Sequence, residues 1–178
     1  MSFKSCRFKG KGVCIELMGG VFRNGPLLRS FFSEVEVLER NETMVNAIKK
    51  LKKGPDTIYQ EDVRYFDWAS RAERYQCVFG VWCLCYLNKR DSIALLYGIK
   101  KTLRRGGCLV LFESIVGARE IVDRFNDIEE QQMVVRLYER YTRLFVQCGF
   151  VIVSEKRHKA WTDGVMWSED YASFTLMA

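Results

Sequence analysis

The sequence predicts a doubly wound α/β fold, in which helices cover both faces of a mostly parallel β-sheet. Short apolar runs alternate with longer segments of helical period along the chain, an order typical of strand–helix–strand units. One run, Cys77 to Val81, is apolar without alternation, as expected for a central strand buried on both faces. No repeat or linker interrupts the pattern, so residues 1–178 are expected to form one domain.

The first half of the chain is expected to supply four strands, each bounded by glycine, proline or charged residues. A turn containing glycine separates the first strand from a helix at Leu27 to Phe32. A second helix, capped by Asn41 or Thr43, has its apolar residues on one side and ends at Gly54-Pro55. The four strands are assigned to Val13 to Leu17, Val35 to Glu39, Thr57 to Tyr59 and Cys77 to Val81.

The second half is expected to add two helices and three strands. Asp91 or Ser92 is the expected cap of the third helix, which has basic residues in its last turn and Gly106-Gly107 at its end. The fourth helix runs from about Glu129 to Gln147, with apolar residues at helical spacing. The remaining strands begin at Cys108 to Phe112 and cover Phe150 to Val153 and Tyr171 to Met177.

Composition excludes several classes of protein. Apolar residues make up 48% of the 178 residues and only two are proline, so the chain is not disordered. It contains neither an uncharged apolar run of about 18 residues nor a signal-peptide core, and a cytoplasmic or nuclear location without a membrane partner is expected. The seven cysteines lie mostly in apolar runs and the single histidine lacks partners at zinc-ligand spacing, so we expect buried thiols and no metal.

The net charge of +6 is concentrated in clusters of lysine and arginine. Such clusters attract phosphate-bearing or acidic partners, and they are equally typical of solvated helix ends and loops. RNA therefore stays a candidate partner. The clusters are Lys4 to Lys11, Lys49 to Lys53, Lys100 to Arg105 and Lys156 to Lys159.

Ligands of an open parallel sheet bind outside the carboxyl ends of the strands, where the strand order reverses. The first predicted strand is followed by Met18-Gly19-Gly20-Val21-Phe22-Arg23. The second ends at Glu39, an acid placed to accept hydrogen bonds from a ribose. Alone, each signal is weak, because paired glycines usually form turns and strand-end acids are usually solvated.

Four further segments occur in a specific order: Leu27 to Glu39, Gly80 to Leu87, Leu103 to Gly107 and Tyr171 to Leu176. From about Val13 onward, the chain resembles the protein N-terminal (alpha-amino) methyltransferases, and Trp82 after the fourth strand is the most specific element. The resemblance implies a class I methyltransferase fold with seven strands, the last antiparallel. It also implies S-adenosylmethionine as cofactor and the amino terminus of a protein or peptide as substrate.

The resemblance further implies roles for individual residues. Gly20 and Arg23 would contact the methionine part of the cofactor, with the guanidinium pairing its carboxylate, and Glu39 would bind the ribose hydroxyls. Val63 and Arg64 fall where the family contacts adenine. The implied cofactor-binding residues are Gly19, Gly20, Arg23, Glu39, Val63, Arg64 and Val81; the substrate-binding residues are Trp82 and Glu113; and the catalytic residues are Tyr86, Ser114 and Glu130.

Some positions depart from the family pattern. Met18 and Phe22 replace the first and third glycines of the turn, so side chains stand where the backbone should approach the ligand. If Phe22 packs beneath the following helix, the cofactor pocket survives. If it fills the place of the cofactor, replacing Met18 and Phe22 by glycine should create affinity for S-adenosylhomocysteine. Arg23 and Glu39 are expected in one cleft, within about 15 Å of each other.

The acid–base residues also differ from the family. Tyr86 aligns with the general-base histidine, Ser114 with the substrate-binding asparagine, and Gln131 with the second acid, next to Glu130. A tyrosine with an ordinary pKa is a poor base at neutral pH. The amino-terminal extension that helps to close the family's substrate channel is also expected to be absent, which leaves a role for a protein partner that completes the site.

Three hypotheses follow. The first is an active methyltransferase that acts on a protein amino group. The second, motivated by the substitutions at Met18, Phe22, Tyr86 and Ser114, is a degenerate domain retained as a binding or scaffold subunit. The third, motivated by the basic clusters, is an RNA methyltransferase.

Overall fold

The computed structural model describes residues 12–116, 136–159 and 170–178, and the backbone of 125–126 and 133–134. Its helices are α1 (Gly25–Phe31), α2 (Glu42–Lys49), α3 (Lys89–Thr102) and α4 (Tyr138–Gln147). Its strands are β1 (Val13–Leu17), β2 (Glu34–Leu38), β3 (Thr57–Tyr59), β4 (Tyr75–Val81), β5 (Leu103–Val116), β6 (Phe125–Asn126), β7 (Met133–Val134), β8 (Arg136–Leu137), β9 (Val151–His158) and β10 (Tyr171–Met177).

Seven strands form one continuous sheet in the order β3-β2-β1-β4-β5-β10-β9. The pairs from β3 to β5 are parallel, whereas β10 runs antiparallel to both β5 and β9. This arrangement confirms the predicted doubly wound sheet with an antiparallel last strand. The strand order reverses between β1 and β4, so ligands are expected at the carboxyl ends of these strands.

Two hydrophobic clusters cover the two faces of the sheet. One joins α1 and α2 to the sheet through Leu28, Val35 and Ile48, and the other joins α3 and α4 through Leu96 and Phe145. The cysteines among the described residues are all buried, as predicted for thiols in apolar runs. No helix in this part of the chain is long and apolar enough to cross a membrane.

The boundaries of α3 differ from the sequence prediction at both ends, and α2 ends at Lys49 rather than at Gly54-Pro55. Asn88, rather than Asp91 or Ser92, caps α3, because its side chain accepts a hydrogen bond from the Asp91 N–H at 2.9 Å. Gly106-Gly107 does not end this helix but lies in an irregularity between the paired parts of β5, where Gly106 has φ +76°. For α2, Asn41 is the cap, one of the two predicted residues.

The fourth helix is shorter than predicted. It begins at Tyr138 rather than near Glu129, and Arg136–Leu137 forms β8, which pairs with the end of β5. Glu129, Glu130 and Gln131 lie outside the described residues.

Candidate functional site

The ends of β1 and β2 meet at the turn that contains Gly19 and Gly20. The two strands pair up to Leu17 and Leu38, and the Gly20 N–H then donates to Glu39 Oε2 at 2.9 Å. Since β1 also pairs with β4, this turn lies where the strand order reverses. The predicted ligand-binding turn is therefore at the expected edge of the sheet.

The backbone of the turn adopts the left-handed conformation at alternate residues. Met18, Gly20 and Phe22 have φ values of 49°, 54° and 61°, and these are the three positions at which the family pattern has glycine. A residue with a side chain pays about 1 to 2 kcal/mol for this conformation. The turn therefore keeps the backbone of a glycine-rich loop although two of the glycines are replaced.

The two remaining glycines have different environments. A Cβ atom at Gly19 would overlap the Val37 side chain, whereas a Cβ atom at Gly20 would meet nothing within 4 Å. Gly19 is thus required by packing within the protein. Gly20 faces open space, which leaves its backbone accessible to a ligand.

Phe22 does not cover Gly20. Its side chain is 2% exposed and belongs to the cluster that includes Leu28 and Val37. Its ring lies directly on Gly25 at the start of α1, where a Cβ atom would overlap it. This is the predicted arrangement in which the ring packs beneath the following helix, while Met18 is partly buried against the cluster on the other face of the sheet.

Glu39 connects the turn to the start of α2. Its Oε2 accepts from the Gly20 N–H, and its Oε1 accepts from the Asn41 N–H at 2.8 Å. The side chain is 8% exposed. A carboxylate oxygen accepts more than one hydrogen bond, so Glu39 keeps acceptor capacity for a ligand above the turn.

Glu16, in β1, is a buried acid with an unsatisfied oxygen. It is 1% exposed, its Oε1 accepts from Asn24 Nδ2 at 2.7 Å, and its Oε2 lacks a partner among the described residues. Burial raises the pKa of this carboxyl to about 7, although the Asn24 hydrogen bond acts in the opposite direction. A buried acceptor without a partner is costly, and this one lies next to the predicted cofactor turn.

We expect the titration of Glu16 to appear in the pH dependence of stability. Its folded-state pKa is about 7 against an ordinary 4.5, so between these values the folded protein holds a proton that the unfolded chain has lost. The free energy of unfolding should therefore fall by about 3 kcal/mol as pH rises through this window. Urea unfolding at several pH values should show a shallower fall in Glu16→Gln than in the wild type; parallel curves would contradict the assignment.

The segment after β3 contains the two residues predicted near adenine. Val63 is buried, and its carbonyl accepts from Trp68 Nε1 at 3.3 Å. Arg64 is exposed and pairs with Asp62, with 2.7 Å between Nη2 and Oδ2. Hydrogen bonding to Arg64 lowers the pKa of Asp62 to about 2. Asp62 also pairs with Arg40 after β2 at 3.3 Å, so ion pairs connect the segments that follow β2 and β3.

The turn after β4 presents an exposed tryptophan. Trp82 is 44% exposed, its φ is 53°, and its N–H donates to the Phe112 carbonyl at 2.7 Å. A bulky residue in this conformation is a genuine outlier, and such outliers cluster at functional sites. Val81 before it is partly buried. Tyr86, in the following 3₁₀ turn, is also partly buried, and burial raises its pKa above the ordinary value, so an even smaller fraction of it is ionised and able to act as a base at neutral pH.

Glu113 lies beneath this turn. It is fully buried, and its carboxylate accepts from the N–H groups of Cys83, Leu84 and Cys85 at 3.0, 2.8 and 3.2 Å. Burial raises its pKa to about 7, while these hydrogen bonds and Arg136 lower it. These contacts assign Glu113 to the support of the turn, and its oxygens are closed to solvent. Its predicted role in substrate binding stays a prediction, and these contacts favour an indirect form of it, through the turn that carries Trp82.

Arg136 binds the same turn from its carbonyl side. Its guanidinium donates to the Leu84 and Leu87 carbonyls at 2.7 and 2.5 Å, and only 6% of the residue is exposed. A buried arginine requires such partners. The turn that carries Trp82 and Tyr86 is thus bound on its donor side by Glu113 and on its acceptor side by Arg136.

The other predicted residues are placed less specifically. Arg23 is exposed, and its predicted pairing with the cofactor carboxylate stays a prediction, as does its distance from Glu39. Ser114 is 8% exposed and pairs with Tyr171 of β10. Glu130 lies outside the described residues. Within the described ranges, no cluster of His, Cys, Asp and Glu could hold a metal ion.

Sequence reasoning missed two residues of this edge, Glu16 and Arg136. Glu16 is the only charged residue in the apolar run of β1, and Arg136 stands between the apolar residues Val135 and Leu137. A charged residue inside an apolar run is a usable signal, because such a residue is almost never fully buried unless it is paired.

A family model described as AdoMet dependent proline di-methyltransferase matches residues 5–173. Among curated proteins, the chain is similar to alpha N-terminal protein methyltransferase 1 of Arabidopsis thaliana, with 23% identity over 82% of this chain and 52% of that protein. The Drosophila melanogaster protein of the same name is 25% identical over 83% and 53%. The chain therefore spans about half the length of the curated relatives it matches.

Solved structures show the same fold. A SAM-dependent methyltransferase from Leishmania major superposes with a TM-score of 0.79 at 19% identity, covering 98% of this chain and 67% of that one. The glycopeptide N-methyltransferase MtfA, in complex with S-adenosyl-L-methionine, superposes with a TM-score of 0.67 at 18% identity, covering 95% and 82%.

Proposed function

Because the chain belongs to the AdoMet-dependent proline di-methyltransferase family, whose model matches residues 5–173, we propose that it transfers methyl groups from S-adenosylmethionine to the amino terminus of a protein. The cofactor is that of the family. Its binding by this chain, the acceptor and the reaction are the proposal. The observation that carries it is the open backbone at Gly20, whose N–H donates to the Glu39 carboxylate.

The residues of the turn fit the cofactor chemically. Gly20 leaves space for close approach, and Glu39 retains acceptor capacity at the same edge. Arg23 would pair with the carboxylate of the cofactor's methionine part, and Glu16, which is buried beside the turn, would support the turn from within the protein. Gly19 would support the turn, and Val63, Arg64 and Val81 are proposed around adenine. When bound, the cofactor supplies an electrophilic methyl group on a sulfonium.

Methyl transfer to an amino group depends more on the positioning of the acceptor than on a strong base. An α-amino group has a pKa of about 7.7 to 8.0, so part of it is neutral near pH 7. Trp82 would hold the amino end of the substrate, and Tyr86 and Ser114 would orient it, with Glu130 as the proposed acid. Orientation alone supplies several kcal/mol of a barrier, which suits a site whose tyrosine has a raised pKa.

The two alternatives receive less support. The degenerate-domain hypothesis was motivated by the substitutions at Met18, Phe22, Tyr86 and Ser114, and the obstruction expected from Phe22 is removed because its ring packs against Gly25. The RNA hypothesis depended on the basic clusters. Lys52 and Lys53 precede β3, and Arg104 and Arg105 precede the paired part of β5 at Cys108. These residues lie at the amino ends of the parallel strands, opposite the proposed cofactor turn, whereas Lys156 to Lys159 lies at the carboxyl end of β9, on the same edge as that turn. The reduced cysteines suit a cytoplasmic or nuclear site of action.

We expect calorimetric titration of the purified protein to show binding of S-adenosylmethionine and S-adenosylhomocysteine. Peptides with a free amino-terminal proline should gain methyl groups by mass spectrometry, whereas the same peptides with an acetylated amino terminus should not. A protein partner that completes the site would appear as methylation only after its addition. Absence of cofactor binding at sub-millimolar concentration would support the scaffold hypothesis, and methylation of RNA but not peptide would support the third.

A further inference from the structure

We infer that Arg136 is a positioning residue for the methyl acceptor, because it and Glu113 together fix the turn that carries Trp82 and Tyr86. The inference rests on the proposed function, which assigns these two aromatic side chains to the acceptor and other residues to the cofactor.

The side chains of Glu113 and Arg136 form hydrogen bonds with backbone groups on both sides of this turn. Three consecutive N–H groups, from Cys83 to Cys85, donate to Glu113. On the other side, two separate guanidinium nitrogens of Arg136 donate hydrogen bonds to the Leu84 and Leu87 carbonyls. A planar guanidinium can serve two acceptors in fixed directions, whereas the ammonium of lysine is a compact point charge. Two distant side chains therefore add to the turn's own backbone hydrogen bonds, which run from Tyr86 to Cys83 and from Leu87 to Leu84.

Trp82, next to this turn, has a strained backbone conformation. Trp82 precedes the first N–H that Glu113 binds, and it has a φ of 53°. Such a conformation persists only where the surrounding structure over-determines it. The contacts that do so are the Phe112 carbonyl, which accepts from the Trp82 N–H at 2.7 Å, and the clamp that Glu113 and Arg136 form on the residues that follow.

Arg136 itself contacts several elements that hold it in place. It pairs with Ile115 at the end of β5, donates to Ser92 Oγ of α3 at 3.4 Å, and lies 5.8 Å from the ring centroid of Tyr141 in α4. Except for Val81, which ends β4 directly before Trp82, the proposed cofactor residues follow β1, β2 and β3. Loss of the two hydrogen bonds from the Arg136 guanidinium should therefore weaken acceptor binding and leave cofactor binding unchanged.

The test compares Arg136→Lys and Arg136→Met with the wild type and with Arg143→Met, a control at an exposed arginine of α4. We expect both Arg136 variants to raise KM for an amino-terminal peptide by about tenfold or more, with an unchanged Kd for S-adenosylhomocysteine. Amide hydrogen exchange of residues 83–85 should become faster in both variants. The control should match the wild type in all three measurements.

Equal losses of cofactor and peptide affinity in Arg136→Lys would overturn the inference, as would an unchanged KM with wild-type exchange. If Arg136→Met does not fold, Glu113→Gln is measured in the same way, since it replaces a carboxylate oxygen by an N–H₂ group facing backbone donors. In Glu113→Gln, the backbone amides of residues 83–85 should exchange hydrogen faster than in the wild type. Absence of methyl transfer by the wild type, with the exchange differences intact, would overturn the proposed function alone; equal exchange in all proteins would overturn the clamp.

Discussion

Replacing Gly20 by valine is expected to lower the affinity for S-adenosylmethionine by about 100-fold. A Cβ atom at Gly20 meets no protein atom within 4 Å, so the new side chain would project into the space that the cofactor is proposed to occupy. Stability should fall by about 1 to 3 kcal/mol, because Gly20 has a φ of 54° and valine is strained in that conformation. Calorimetric titration and urea unfolding would measure the two effects separately.

Gly106 offers a matched control for this substitution. It also has a positive φ, and a Cβ atom there would also meet nothing within 4 Å, but it lies near the start of β5 at the opposite edge of the sheet. Gly106→Val should therefore show a similar loss of stability with wild-type cofactor affinity. Equal affinities of Gly20→Val and the wild type would show that the cofactor does not approach this turn.

Replacing Phe22 by alanine is expected to destabilise the protein by about 3 to 5 kcal/mol without creating new cofactor affinity. The ring is 2% exposed and fills the space above Gly25 in the cluster beneath α1, so its removal leaves a cavity in the core. Thermal or urea unfolding measures the loss of stability, and titration with S-adenosylhomocysteine measures the affinity.

The matched control is Phe145→Ala, which removes a fully buried phenylalanine from the cluster on the opposite face. Both variants should lose comparable stability. A wild-type protein that binds no cofactor, together with a Phe22→Ala variant that does, would reverse the conclusion and identify the ring as a built-in occupant of the site.

Short strands were predictable because their boundaries are chemically sharp. Val13–Leu17, Thr57–Tyr59 and Tyr171–Met177 have the bounds that the sequence predicts, since charged residues, glycine or proline flank apolar runs. Helix starts were less predictable, because several neighbouring polar residues can each accept a backbone N–H. Asn88 caps α3 although Asp91 and Ser92 are also suitable, and the apolar spacing before Tyr138 suits a helix although Arg136–Leu137 pairs as a strand.

The candidate site was predictable where it depends on position along a strand and unpredictable where it depends on burial. Gly20 and Glu39 follow adjacent strands, so their contact follows from the sheet order. The unsatisfied oxygen of Glu16 and the fork of Arg136 depend on which elements converge around them. Likewise, nothing local in the sequence indicates that Phe22 would turn toward Gly25 rather than toward the cofactor edge.

The position of β10 has a consequence for synthesis of the chain. This strand, Tyr171–Met177, is the last in the sequence, yet it lies between β5 and β9 rather than at an edge. During translation β9 has no neighbour in the sheet until β10 has left the ribosome, so a nascent chain exposes the open edge of β5. Such edges favour aggregation. Once β10 has been translated it can cover this edge of β5, and β9 becomes the outermost strand on that side of the sheet.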